Sequence, residues 1–352
     1  MKEAVQAKVV KQSGDLVSLV RPLNATLSSH NSKLRIRTNL PPLAGRRVGL
    51  GLLELIVEAG RVRPEWKLKF GEVSITREFK PQCFISLPEA NKVLYKFIYD
   101  VTSILNARLA EGRESLDLTV KYEGGEPFRV LGVLLDAIYE DADAQIKYWH
   151  FTGMSLVSSS ERVEVDLGEV FESGSNLRLI TYGRSPAELN IHVEPHQEKI
   201  PVSALVLDEH NIILPGNTQK IGFSLSGKQA ASTVIASLTV YISEVKKPEL
   251  SICGVEYAIE GSELKLVLSI CNESEFVPDK LVLSILRSGE LLYTTQELSK
   301  PAPKSSITRE IKIPLQVLRS RGASGQQLTI RLIWYKLARM WIADRVVRVE
   351  LT

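Results

Sequence analysis

The side chains best suited to bind a partner are two arginines in a turn and two tryptophans. Arg46 and Arg47 follow a turn that contains proline and glycine, where guanidinium groups can pair with phosphate or carboxylate. Further basic residues follow along the chain, namely Arg61, Arg63, Lys67 and Lys69. Trp66 and Trp149 carry large flat rings of the kind that stack on sugars or fill interfaces. We predict Trp66, Trp149, Arg46 and Arg47 as binding residues, and a solvated rim is the alternative for the two arginines.

One group of potential metal ligands lies at His192, Glu194 and His196. These three side chains would share one face of a strand and could hold a metal ion. However, Pro195 interrupts that strand, and no fourth ligand is near in the sequence. We interpret the group as the polar end of a hairpin.

A second group consists of the carboxylates Glu140, Asp141 and Asp143. Carboxylate oxygens are suitable ligands for Ca²⁺, but the spacing of a Ca²⁺-binding loop is absent. We interpret this group as a solvated turn, and we predict no metal ion and no cofactor.

Signatures of known catalytic sites are absent from the sequence. It contains no Gly-x-Ser-x-Gly, no glycine-rich phosphate loop, no His-Glu-x-x-His and no dinucleotide fingerprint. Only five histidines are present, and none follows or precedes a plausible nucleophile. We therefore predict that the protein is not an enzyme. A pair of carboxylates that meets only in the folded chain, as in glycosidases, would leave no such signature.

The overall charge gives no reason to expect a strongly anionic partner. The chain of 352 residues has 44 basic and 41 acidic residues, and its formal net charge is +3. This balance predicts no binding to nucleic acid or to an anionic membrane surface. No apolar run is long enough for a transmembrane helix, and the N-terminus lacks an apolar signal-peptide core. The cytoplasm is the predicted location unless the sequence is a processed form.

The elements that would position these residues are strands, because apolar and polar residues alternate along most of the chain. This period of two places one face of a strand on a core and the other toward water. Examples are residues 33–37, 116–122, 162–167, 238–242, 264–270 and 345–351. Leu52 to Glu58 is predicted as a strand, and Val101 to Glu111 as a short helix that Asp100 caps and Gly112 ends. Short strands between turns indicate an all-β protein of tandem antiparallel sandwiches.

We predict two or three such domains. The segment Lys246–Pro248 is predicted to be a linker between domains, and a less distinct domain boundary is predicted near Ser158–Ser160. The predicted domains are a jelly-roll-like sandwich over 1–155 and an immunoglobulin-like sandwich over 247–352. Residues 156–246 form either a second sandwich or an extension of the first.

Residues 247–317 resemble the CARDB-type adhesion module, an immunoglobulin-like sandwich of archaeal and bacterial surface proteins. The resemblance lies in residues 247–252, 260–266 and 269–274. Glu249 and Ser274 depart from the usual aspartate and glycine of the family pattern. Residues 95–157 resemble an archaeal sandwich family of unknown function, through residues 99–102, 118–123 and 151–153. These resemblances imply adhesion work at the surface of an archaeal cell and pass on no catalytic residue.

The sequence contains three cysteines, and two of them flank a predicted hairpin. Cys253 and Cys271 would lie opposite each other if the hairpin is centred on Ser262. A disulfide between them is then possible, and it is more expected if the source is a hyperthermophile. Buried free thiols are the alternative, because Cys271 falls on the opposite face from Leu264 and Ile270.

Three functions follow from this reading. The first, which we favour, is a structural, adhesion or interaction protein that presents sandwich edges and loops to a protein partner or to a second copy. The second is a carbohydrate-binding module in which Trp66 or Trp149 lies flat in a cleft. The third is a glycosidase-type hydrolase with two facing carboxylates.

Overall fold

The chain folds into two compact units, Met1–Glu244 and Val245–Thr352, each built almost entirely of antiparallel strands. The computed structural model describes residues 7–39, 45–60, 65–75, 81–87, 90–113, 115–159, 161–172, 174–226, 232–295, 297–319 and 325–350. The predicted all-β class is therefore confirmed. The boundary between the units lies next to the segment Lys246–Pro248, which joins two strands.

The first unit contains nineteen strands and one helix among its described residues. In chain order its first half comprises β1 (Ala7–Ser13), β2 (Asp15–Leu27), β3 (Lys33–Asn39), β4 (Val48–Ala59), β5 (Glu65–Phe70), β6 (Val73–Ser74), β7 (Cys83–Leu87), β8 (Lys92–Asp100), α1 (Thr102–Ala110), β9 (Ser115–Gly124) and β10 (Phe128–Tyr139). Its second half comprises β11 (Ala144–Phe151), β12 (Ser155–Ser158), β13 (Val163–Phe171), β14 (Asn176–Gly183), β15 (Ala187–Val193), β16 (His196–Val202), β17 (Leu207–Ile213), β18 (Thr218–Ser226) and β19 (Ser232–Val245).

The second unit contains seven strands and a short helix among its described residues. They are β20 (Leu250–Glu260), β21 (Glu263–Asn272), β22 (Lys280–Arg287), β23 (Glu290–Thr294), β24 (Ser305–Pro314), α2 (Leu315–Arg319), β25 (Gly325–Lys336) and β26 (Arg339–Glu350).

The two local predictions in the first unit agree closely with the structure. The predicted strand at Leu52–Glu58 lies inside β4, and the predicted helix corresponds to α1. The helix begins one residue later than expected, because Val101 occupies the cap position and Asp100 lies before it. The Asp100 carboxylate still accepts hydrogen bonds from the backbone N–H and the hydroxyl of Thr102. No helix in the described ranges has the length and apolar character to cross a membrane.

Four sheets stack as four layers in the first unit. Sheet I has the strand order β3-β9-β5-β6, and sheet II has the order β2-β10-β4-β8-β7. Sheet III has the order β1-β11-β19-β14-β17, with β12 also paired to β19, and sheet IV has the order β13-β18-β15-β16. Sheet I packs on sheet II, sheet II on sheet III and sheet III on sheet IV, as the shared core residues show. Strand β4 is buried along nearly its whole length because both faces of sheet II are covered.

Sheet III joins the two segments that the sequence divides at about residue 155. Strands β1 and β11 come from the segment before that point, and β12, β14, β17 and β19 come from the segment after it. Within the first unit, four strands from the later segment therefore share a sheet with residues 7–13 and 144–151, while β13, β15, β16 and β18 form sheet IV. Alternation along one strand does not reveal this, because it shows which face is buried but not which distant strand lies alongside.

The second unit is a two-sheet sandwich. Sheet V has the order β20-β21-β24, and sheet VI has the order β23-β22-β25-β26. Every second residue of β21, from Leu264 to Ile270, is fully buried against inward residues of sheet VI such as Leu283 and Ile330. This is the alternating pattern that the sequence shows for residues 264–270.

A disulfide joins Cys253 and Cys271, whose Cα atoms are 5.8 Å apart. The predicted hairpin centre would place the two cysteines directly opposite each other. In the structure they are offset. Cys271 lies opposite Ser251, and Cys253 is the extra residue of a β-bulge between Ile252 and Gly254. The bulge brings the Cys253 side chain to the outer face of sheet V, where Cys271 also lies.

Loss of this disulfide is expected to lower the free energy of unfolding of the second unit by about 3 kcal/mol, since the bond closes a loop of 18 residues. Urea denaturation with and without a reductant measures the difference. The variant Cys253→Ser should unfold like the reduced protein, whereas Cys83→Ser should leave the effect of the reductant unchanged. An unfolding midpoint of the second unit that does not respond to the reductant would contradict this expectation.

Candidate functional site

The outer face of sheet I carries an unusual density of positive charge. Six basic side chains project from three neighbouring strands, and we call this set the basic face: Lys33, Arg35, Arg37, Lys67, Lys69 and Lys121. They line a depression of about 660 Å³ whose other charged side chains are Glu72 and Asp117. With Glu123, which pairs with two of the lysines, six basic and three acidic groups give this surface a formal charge of +3. The formal charge of the entire chain is also +3, so this one face accounts for as much positive charge as the chain has in excess.

Strand alternation creates the basic face. In β5 the residues Trp66, Leu68 and Phe70 are buried, whereas Lys67 and Lys69 between them are exposed. Strand β3 shows the same alternation, with basic residues at 33, 35 and 37 pointing outward. In β9, Leu116, Leu118 and Val120 point inward, and Asp117, Thr119 and Lys121 point outward. Every strand thus contributes its inner residues to the core and its outer residues to one charged surface.

The register aligns these charges in rows across the sheet. Lys33 pairs with Lys121 on one side of β9, and Lys67 pairs with Lys121 on the other side. Three lysines therefore occupy a single row across three strands. The next row contains Arg35, Thr119 and Lys69. Like charges directly opposite each other in a sheet are destabilising, so this arrangement is not what stability alone would favour.

Acidic residues neutralise only part of the basic face. Glu123 forms salt bridges with Lys67 at 3.0 Å and with Lys121 at 2.7 Å. Hydrogen bonds from Lys121 and Lys67 hold the pKa of the Glu123 carboxyl below its ordinary value. Both lysines nevertheless keep more than half of their side-chain surface exposed, 57% for Lys67 and 54% for Lys121.

The remaining members of the basic face have fewer partners. Arg37 is 3.9 Å from Asp117, and its side chain is 74% exposed. Lys33, Arg35 and Lys69 form no salt bridge within the described part of the chain. All three side chains are exposed.

Arg46 and Arg47, predicted as binding residues, do not belong to the basic face. The Arg46 guanidinium donates to the Asp141 carboxylate at 2.6 Å and is mostly buried, so it is not a free anion site. Arg47 is exposed, and its carbonyl accepts a hydrogen bond from the Glu140 N–H at 2.8 Å. Arg46 thus pairs with one of the three carboxylates of the turn that was predicted to be solvated. Of the other basic residues near it in sequence, Lys67 and Lys69 lie on the basic face, and Arg61 and Arg63 lie outside the described residues.

Trp66 and Trp149, also predicted as binding residues, are both only 1% exposed. The Trp66 ring lies between sheets I and II, with ring centroids 4.6 Å from Phe97 and 5.0 Å from Phe128. The Trp149 ring lies between sheets III and IV, stacked against Phe151. Neither ring presents a face on which a sugar could stack. The prediction failed because of how the sheets cover one another. Sheet II covers the face of sheet I that carries Trp66, and sheets II and IV cover both faces of sheet III, which carries Trp149.

A second charged cluster lies between sheets II and III and is sealed from solvent. Glu54 of β4 contacts Lys96 of β8 at 3.1 Å and His150 of β11 at 2.8 Å. Burial by itself raises the pKa of Glu54, but Lys96 and His150 outweigh it and hold this pKa well below the ordinary value. Ser237 of β19 also donates to Glu54, at 3.2 Å. The cluster therefore links the two sheets through an ionised carboxylate.

Two more carboxylates of sheet II bond to sheet III in the same way. Asp136 accepts hydrogen bonds from Arg178 and Tyr148, and burial together with Asp136 raises the pKa of the Tyr148 hydroxyl well above its usual range. Glu58 accepts from Tyr182 at 2.6 Å. At 2–6% exposure these carboxylates are not accessible to a substrate. We call Glu54, Asp136 and Glu58, together with their partners on sheet III, the ionic layer. These polar contacts join sheets II and III in addition to the apolar contacts between them.

The predicted polar hairpin at residues 192–196 is present as the turn between β15 and β16, with a cis peptide bond before Pro195. His192 lies 2.8 Å from the Ser224 hydroxyl. Within the described ranges, no group of three or more His, Cys, Asp or Glu side chains is arranged to hold a metal ion.

No protein-family model matches the chain, and no curated protein matches it either. Among solved structures, part of the chain is similar to a β-glucuronidase of Parabacteroides merdae, at 10% identity and a TM-score of 0.24, over 57% of this chain and 27% of that one. It is also similar to a GH2 β-galacturonidase of Eisenbergiella tayi, at 13% identity and a TM-score of 0.23, over 58% and 35%. The chain thus spans about a third or less of the length of these enzymes. Likeness at this level carries no argument about function.

Proposed function

We propose that the protein is a non-catalytic binding protein that holds a multiply anionic partner on the basic face. The observation that carries this proposal is the row of Lys33, Lys121 and Lys67, directly opposite one another on three strands. Glu123 offsets part of the mutual repulsion within this row, because it pairs with Lys67 and Lys121, but three ammonium groups still share one carboxylate. An anionic partner would relieve the repulsion and gain charge-assisted contacts with all three ammonium groups.

The proposal keeps the interaction role expected from the sequence but assigns it to a sheet face instead of an edge or a loop. A protein partner would have to present a cluster of acidic residues to this surface. A carbohydrate partner would have to be an anionic polysaccharide, since neutral sugars are held mainly through aromatic rings and hydrogen bonds. The described part of the basic face offers charge and one hydroxyl, that of Thr119, but no aromatic ring.

Charge reversal tests the proposal with heparin as the polyanionic probe. The triple variant Lys33→Glu, Lys67→Glu, Lys121→Glu is expected to weaken heparin binding by about 100-fold at low salt, because it replaces the central row by carboxylates. Fluorescence anisotropy of labelled heparin gives the Kd values. Circular dichroism and the urea midpoint show whether the variant remains folded, which is expected since all three side chains are exposed.

The matched control is the triple variant Lys199→Glu, Lys220→Glu, Lys312→Glu. These lysines are also exposed but lie on other sheets, and the change in net charge is identical. The control should bind heparin within about threefold of the unmodified protein, apart from the general effect of net charge. Equal losses of affinity in the two variants would show that the basic face has no special role, and the proposal would be rejected.

A further inference from the structure

We infer that the partner of the basic face is double-stranded nucleic acid, bound through its phosphate backbone and without regard to sequence. This inference rests on the proposed function and specifies the class of anion. Its first support is the absence of aromatic rings on the described part of the basic face, in a sheet that is rich in them on its other side.

The aromatic residues of sheet I all point toward the core. Trp66 and Phe70 of β5 are 1% exposed, and Tyr122 of β9 packs against Phe128. Single-stranded nucleic acids are held by stacking of their bases on aromatic side chains, in addition to contacts with the backbone. Sugar rings also favour aromatic platforms. A duplex instead hides its bases and presents phosphates outward, so that it can bind a surface made of positive charge alone.

The dimensions of the basic face fit a short stretch of duplex backbone. Neighbouring strands are about 4.8 Å apart, so the distance from β3 to β5 across β9 is about 10 Å. Lys33 to Arg37 extends about 14 Å along β3. Each strand of a duplex presents one phosphate per about 3.4 Å of its axis, which places about four phosphates of one strand over this length. Thr119, in the centre, adds a hydroxyl of the kind that often donates to phosphate oxygens.

The nearly neutral net charge of the chain does not oppose this inference. The expectation that nucleic acid is not a partner assumed that basic and acidic residues are evenly distributed. In the folded protein the basic face alone carries as much net positive charge as the whole chain. Local potential, rather than net charge, governs the approach of a polyanion to a surface.

The test compares three probes by fluorescence anisotropy: a 20-base-pair DNA duplex, one strand of the same duplex, and heparin. The duplex is expected to bind at least tenfold more tightly than the single strand. A second duplex of unrelated sequence should bind within about threefold of the first. The logarithm of the association constant should fall with the logarithm of salt concentration with a slope of about −3 to −4, as expected for about four phosphates. The single variant Lys33→Gln should make that slope less steep by about one.

The outcomes separate this inference from the proposed function. Heparin binding that depends on the basic face, together with absent or equally weak duplex binding, would overturn the inference and leave the proposed function standing. A single strand that binds as tightly as the duplex would also overturn it. Duplex binding that survives in the Lys33→Glu, Lys67→Glu, Lys121→Glu variant would show that the duplex uses another surface and would likewise overturn it. If neither heparin nor duplex binds, both the inference and the proposed function fail.

Discussion

Replacement of Glu54 by glutamine is expected to lower the free energy of unfolding of the first unit by about 3 to 5 kcal/mol, the cost typical of breaking a buried ion pair. Lys96 is fully buried, and its ammonium group contacts Glu54 at 3.1 Å. The other contacts of this ammonium group are to neutral carbonyl oxygens of Phe151 and Gly153. The glutamine variant would leave the lysine charge in a low-dielectric interior with no carboxylate to balance it. Urea denaturation of the unmodified and variant proteins measures the change.

Two controls make this prediction specific. Glu188→Gln removes one partner of the exposed pair with Lys199 and should leave the free energy of unfolding almost unchanged, since solvent screens this pair. The double variant Glu54→Leu, Lys96→Met removes both buried charges and should recover most of the stability lost in Glu54→Gln, since apolar side chains of similar volume can replace a buried pair. A Glu54→Gln variant that loses no more stability than Glu188→Gln would contradict the structural role assigned to the ionic layer.

The same contact predicts a dependence on pH. Because the pKa of Glu54 is lower in the folded protein than its ordinary value of 4.5, ionised Glu54 stabilises the fold at pH values above that ordinary pKa. This contribution diminishes as the pH falls below 4.5 toward the lower pKa of the folded state. The difference in unfolding free energy between the unmodified protein and Glu54→Gln should therefore be constant near pH 7 and should narrow as the pH falls below about 4.5. If the difference in unfolding free energy grows on acidification, the pKa of Glu54 is not lowered in the folded protein.

Trp66→Ala is expected to lower the free energy of unfolding of the first unit by about 3 to 5 kcal/mol. The reason is that it removes the largest fully buried side chain between sheets I and II. The cavity would lie against Phe97 and Phe128, which sheet II holds in place. Trp66→Phe should cost less, since a phenyl ring fills part of the same space. Urea denaturation measures both changes.

Variants of Trp66 also test whether this side chain serves only the core or contacts the ligand. Under conditions where Trp66→Phe is fully folded, its affinity for heparin should equal that of the unmodified protein, because Lys67 and Lys69 still project from the opposite face of β5. A variant of Trp66 that remains as stable as the unmodified protein but loses affinity would show that the ring contacts the ligand. The carbohydrate-stacking role predicted from the sequence would then have to be restored.

Much of the fold is encoded in local alternation. The alternating residues 33–37 and 264–270 predict strands with one buried and one exposed face, and the structure confirms both. The outward direction of Lys67 and Lys69 follows equally from their position between apolar residues of β5. The cysteine pair is visible because both members lie in one hairpin, although the bulge at Cys253 is not. These features depend on residues that are close in the sequence.

The basic face and the layered stack depend on residues that are far apart. Lys33, Lys67 and Lys121 become neighbours only through the register of β3 and β5 on β9, which no local pattern specifies. The outward lysines and arginines of each strand are nonetheless a usable signal once the strands are known to share a sheet. The burial of Trp66 and Trp149 has the same origin, because it requires knowledge of which sheet covers which. The net charge of the chain does not predict the basic face for a related reason, since composition contains no information about where the charges lie.

If the protein binds its anionic partner on the basic face, lysine-specific acetylation read by mass spectrometry should detect the bound partner at those lysines. The protein is labelled briefly with and without saturating heparin, and the modification of each lysine is compared. We predict that Lys33, Lys67, Lys69 and Lys121 are protected by heparin, whereas Lys199, Lys220 and Lys312 react to the same extent in both samples. Protection confined to lysines outside sheet I, or equal reactivity of the four lysines of the basic face with and without bound heparin, would show that the basic face is not the binding surface.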